Sequence, residues 1–162
     1  MEGASRQGAF CGFMAGLFFA AAQIVIALFA GNSVVYPFRS YASVALGEEA
    51  LGLHSIPLVL GVGSVVHWTL STAFGVLFGI VNAGLSAHTQ ASTLRQLALG
   101  VLFGSGLYLF NMHVVAPILF PWLAGNWLFQ AVPHALIFGP FLGLTFVTLQ
   151  RRVQRLWSVS PA

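Results

Sequence analysis

Four apolar runs, over roughly 8–30, 57–84, 97–119 and 129–149, leave this chain few ways to fold. Each reaches the about 20 residues that an α-helix needs to cross the hydrocarbon of a bilayer. Together they fill most of a 162-residue sequence in which only 6% of residues are charged. A soluble domain carries about 25% charged residues, because water must wet its surface. Six arginines and three glutamates, with no lysine and no aspartate, cannot do that here. The expected fold class is therefore an all-α integral membrane protein: one membrane domain over 1–162, a compact bundle of four transmembrane helices with short loops.

Local punctuation supports the four spans. Gly31-Asn32 stops the first run and Pro57 suits the first turn of the second. The third ends before Pro121, and the fourth stops at Arg151-Arg152. The second run exceeds one hydrocarbon thickness and should tilt or begin as interfacial helix. A secretory signal competes for the first run, with Arg6 ahead of it and Ala20-Ala21-Ala22 as a small-residue site. The apolar stretch continues through 24–30, which is long for such a signal, so it is taken as a span.

Orientation follows from arginines in short loops. Four crossings put Arg6, Arg95, Arg151, Arg152 and Arg155 on one side, and Arg39 with Glu48 and Glu49 on the other. Both termini are thus expected in the cytoplasm, and small size and simplicity suggest a bacterial inner membrane. The formal charge of +3 forms no basic stripe with interleaved aromatics, so nucleic acid is not an expected partner. The lipid bilayer is, with the terminal arginines against anionic headgroups. Between the first two spans, Tyr36-Pro37-Phe38-Arg39-Ser40-Tyr41 resembles an interfacial aromatic belt. Residues 42–53 are expected to form an interfacial helical segment in this first external loop.

Every span carries glycines four residues apart: Gly12/Gly16, Gly75/Gly79, Gly100/Gly104 and Gly139/Gly143. Lipid gives helices no hydrophobic reason to associate, so close backbone approach at small residues takes over. Phe74-Gly75-x3-Gly79 and Phe138-Gly139-x3-Gly143 match, as do 34–38 and 118–122. Two related helix pairs would explain this, although Gly-Phe-Leu-rich helices also match by chance. Gln23, Asn82 and Asn111 are amides within the spans and are expected to bond between helices.

His67, His113 and His134 are the candidate ligand-binding groups, with Ser71 one turn from His67 and Arg39 at the mouth. At 1.5 Å per residue the three imidazoles fall at about one depth in the outer half of the bilayer. Intramembrane ionisable groups are functional candidates by default. Their faces conflict, however. At about 100° per residue, His134 points nearly opposite Gly143, and His113 nearly opposite Gly104.

Three roles compete for the histidines: interhelical bonding, an outward-facing cavity for a small solute, and a metal or haem site with His67 and His134 as axial ligands. No catalytic residues are expected. The chain holds no aspartate, no nucleophile elbow and no phosphate loop. Ser71 and His67 lack the acid that a triad requires. Cys11, the only cysteine, allows neither an internal disulfide nor a thiolate cluster. Two functions follow: an accessory or packing subunit of a homo-oligomer or larger membrane complex, and a small-solute binding or transport protein. A haem- or metal-binding redox protein is the alternative.

Overall fold

Helix α1 runs over Glu2–Phe29 without a break. It stops where Gly31 takes a left-handed φ of 77°, which costs glycine nothing. The Asn32 N–H then turns back to the Ala27 carbonyl at 2.8 Å, capping the last turn. The computed structural model describes residues 2–124 and 127–159, with side chains for all of these except 127–128 and 153–159. Arg155, assigned to the cytoplasmic side, therefore lies outside the described side chains.

After α1 come α2 (Tyr36–Leu46), a 3-10 turn over Glu48–Leu51, α3 (Ile56–Ala83) and the short α4 (Ala87–Ala91). The chain then rises through α5 (Thr93–Phe110) and α6 (Ala116–Leu119), and returns through α7 (Trp127–Val132) and α8 (Gly139–Val159). The described residues contain no strand, and 88% of the structure is helix. Four helical stretches are long and apolar enough to cross a membrane: Glu2–Phe29, Ile56–Ala83, Thr93–Leu119 and Phe129–Arg152. One end of the bundle carries α2; the other carries α4 and the start of α1.

The helices pair through glycine. Helix α1 lies along α3, where a Cβ on Gly8, Gly12 or Gly75 would come closer than 3.0 Å to backbone of the opposite helix. Helix α8 lies along α5 in the same way, through Gly100, Gly104, Gly139 and Gly143. Gly16 faces the Ser71 side chain, and Gly79 meets the Ala4 carbonyl. Such crossings bring Cα–H groups against carbonyl oxygens, an arrangement that recurs at close helix interfaces. Between the two pairs, α1 also touches α8, and Phe78 meets Phe103 edge to face at 5.2 Å. Cys11, Ala15, Leu142 and Phe146 fill the centre there. Large apolar side chains cover the outside, among them Phe29, Leu94, Leu102 and Ile118.

Two turns in the second half are wider than α-helix. Residues Asn111–Val115 and Pro133–Phe138 form single π-turns, each ending two residues before a proline, Pro117 and Pro140. Proline has no N–H to give, and its ring crowds the carbonyl four residues back. Widening the preceding turn relieves that crowding and takes up one extra residue. The first half has no such break, since α1 and α3 each run 28 residues unbroken.

The first connecting segment departs from expectation. Its helix begins at Tyr36 rather than Ala42 and breaks at Gly47, where φ is 80°. Pro37, Ser40 and Tyr41 recur at helical spacing and turn inward, so Tyr41 is buried, whereas Tyr36 and Phe38 stay partly exposed. Gly63 of α3 permits this, because a Cβ there would collide with the Phe38 carbonyl.

Candidate functional site

At the α2 end the two helix pairs do not close. Between α3 and the widened parts of the second half lies a cavity of about 300 Å³. Its wall is mainly apolar: Phe19, Val66, Leu70, Phe74, Met112, Val115, Ala116 and Phe138. Polar groups reach it from four directions, namely Ser40 and Tyr41 on α2, His67 and Ser71 on α3, Asn111 in the first wide turn, and Gln130 with His134 on the last span. An apolar space with a few convergent polar groups is the usual form of a small-molecule site.

Both cavity imidazoles are held by backbone carbonyls. His67 Nε2 is 2.9 Å from the Gly16 carbonyl oxygen, and His134 Nδ1 is 2.7 Å from that of Gln130. A carbonyl oxygen only accepts, so both ring nitrogens donate. Tyr41 and Phe19 both stack on His67, with centroids 4.5 and 5.6 Å away. The Phe19 ring also meets His134 edge-on at 4.7 Å. One phenylalanine thus touches both histidines.

Behind the rings runs a buried chain of amides. Tyr41 Oη donates to Gln23 Oε1, and Gln23 Nε2 donates to Gln130 Oε1 at 2.8 Å. Gln23 is fully buried, so this chain satisfies a group that would otherwise be costly. It joins α1, α2 and α7 behind the cavity. Trp122 Nε1 adds a bond to Ser43 Oγ at 3.0 Å, tying α2 to the far connection.

The candidate residues divide. His67, Ser71 and His134 share the cavity, whereas His113 and Arg39 do not line it. His113 is exposed, with Nε2 3.4 Å from the Tyr108 hydroxyl. Arg39 instead holds the following loop: its guanidinium donates to the carbonyls of Ala50 at 3.0 Å and His54 at 3.2 Å. With Pro37, Ser40 and Tyr41 inward on α2, residue 39 sits off that face.

The conflict between glycine and histidine faces resolves through the second wide turn. At a constant 100° per residue, His134 and Gly139 differ by about 140°; one residue absorbed between them reduces this to about 40°. The last span can therefore present its glycines to α5 and His134 to the cavity. His113 lies only two residues into the first wide turn, so its phase has hardly shifted and it stays outside.

Among the amides, Asn82 accepts from Gln96 Nε2 at 2.7 Å, joining α3 to α5 at the opposite end. Asn111 lines the cavity instead, and no interhelical bond from it is found among the described residues. No group of three or more His, Cys, Asp or Glu side chains suited to a metal occurs among the described residues. For haem, Phe19 fills space that a macrocycle between His67 and His134 would need.

Phe19, Tyr41 and Gln130 were not anticipated as site residues. The four-residue step from Gln130 to His134 and the inward stripe through Pro37, Ser40 and Tyr41 were the available signals.

Fold and site together define an all-helical bundle of four membrane-length helices with a polar-edged apolar cavity at one end. No protein-family model matches the chain, and no curated protein or solved structure is significantly similar to it.

Proposed function

We propose that this is a multi-pass membrane protein, with both termini cytoplasmic in a bacterial inner membrane, that binds a small and mainly apolar molecule in the outer half of the bilayer. The cavity at the α2 end carries this proposal: about 300 Å³ of mostly apolar space where His67, Ser71 and His134 converge. Its size lies at the small end of ligand pockets. The apolar exterior fits lipid contact, since soluble monomers rarely expose such continuous patches. Arginine placement supports the orientation. Contact between α3 and α5 is slight, so the natural route to the cavity is sideways from the lipid.

Binding of the apolar fluorophore N-phenyl-1-naphthylamine to purified protein in nanodiscs tests this. Saturable fluorescence enhancement is expected, and it should fall at least tenfold in affinity in Ala116→Phe, which fills the cavity from its wall. Equal binding by a folded Ala116→Phe protein would overturn the assignment. Accessibility labelling of single cysteines near 45 and 88 checks the orientation: the first should react from outside the cell and the second only after lysis.

A further inference from the structure

Resting on the cavity reading above, we infer that the bound molecule presents a hydroxyl group to the two imidazoles: an apolar alcohol or phenol rather than a ketone, quinone or ether. The deciding feature is how His67 and His134 spend their protons. A neutral imidazole has one N–H and one in-plane lone pair. In His67 the N–H is Nε2–H, committed to the Gly16 carbonyl; in His134 it is Nδ1–H, committed to the Gln130 carbonyl. Both rings belong to residues lining the cavity. What remains on each is a lone pair, on Nδ1 of His67 and on Nε2 of His134, with no protein donor reaching either among the described residues.

The rings stay neutral because nothing nearby compensates a positive charge. The three side-chain carboxylates are Glu2, Glu48 and Glu49, and none lines the cavity. Two imidazolium ions in one apolar pocket would also repel each other and lose their hydration. The Tyr41 hydroxyl proton is equally unavailable, since it is committed to Gln23 Oε1. Each of these two wall residues, one on α3 and one on the last span, thus keeps an acceptor nitrogen and no free N–H. A carbonyl or ether oxygen meeting such a nitrogen would set lone pair against lone pair. A hydroxyl donates to an imidazole nitrogen and can still accept, for instance from the Asn111 side-chain amide, which also lines the space.

A matched pair of probes tests this on the unaltered protein: 2-naphthol and 2-methoxynaphthalene, which differ in one O–H. Binding to protein in nanodiscs, corrected for partition into empty nanodiscs, should favour naphthol by about tenfold or more, as expected for one hydrogen bond kept against one lost. In His134→Leu, checked for folding by gel filtration, the preference should drop to about threefold or less. Equal binding of the two probes, blocked by Ala116→Phe, would overturn the hydroxyl inference and leave the cavity reading standing. Failure of both probes to bind would overturn the two together. A preference for the ether would also overturn the hydroxyl inference, since an ether oxygen needs a donor at the site.

Discussion

The two halves of the bundle use the same glycine contact and reach different results. In α1 and α3 the helices are unbroken, and the seam from Gly8 to Gly79 holds their backbones together. In the second half the seam from Gly100 to Gly143 is just as close, yet each helical span of the pair widens once, before Pro117 and Pro140. Above those turns the second half faces α3 across an open space, and one wide turn swings His134 into it. Glycine seams fix how closely helices approach. Wide turns decide which residues face inward beyond the seam.

Removing single residues should break this comparison most sharply. Deleting Val65 from α3 rotates one part of an unbroken helix by about 100° against the other, so either Gly75 and Gly79 or Gly63 leaves its interface. No folded, monodisperse protein should be recovered in detergent. Deleting Ala135 removes the extra residue from a wide turn and permits ordinary α-helix. That protein should fold and keep probe affinity within about threefold, because four remaining residues at 100° leave His134 about 40° from Gly139. Gel filtration and the fluorophore titration report both outcomes; equal damage from the two deletions would refute the contrast.

Next in size are the seams. Gly75→Leu and Gly139→Leu each drive a side chain into backbone and should cost about 3 kcal/mol or more, at the upper range of overpacking. Gly106→Leu, which meets open space, should leave the detergent-unfolding midpoint unchanged. If one seam tolerated leucine and the other did not, the halves would not be equivalent.

Smaller effects distinguish the polar layers. Gln23→Leu strands the Tyr41 and Gln130 partners and should cost about 1–2 kcal/mol. Asn82→Leu, which removes the bond from Gln96, should cost a similar amount at the other end. Only the first should also weaken probe binding. The smallest change belongs to His113→Ala, which should shift stability by less than about 0.5 kcal/mol and leave binding untouched.

Much of the fold was legible because helix length and apolar content are local properties. Four membrane-length helices, the stop at Gly31-Asn32 and the glycine positions need no knowledge of neighbours. The candidate site was legible only in part. His67 and His134 stand out as polar residues in apolar runs, but a constant 100° step puts His134 on the wrong side of its helix. Tyr41 could not be assigned either, because an aromatic beside a proline and an arginine reads equally well as a residue at the membrane surface.

Sequence alone determined that the chain makes four long apolar helices, that each carries a small-residue face, and that no carboxylate lies within the four apolar runs. Only the tertiary structure decided that α2 tucks inward, that Phe19 touches both histidines, and that His134 shares a cavity with His67 while His113 does not. The physical reason is phase. A helix repeats predictably until a turn widens, and whether it widens depends on how a proline-crowded backbone packs against its neighbours.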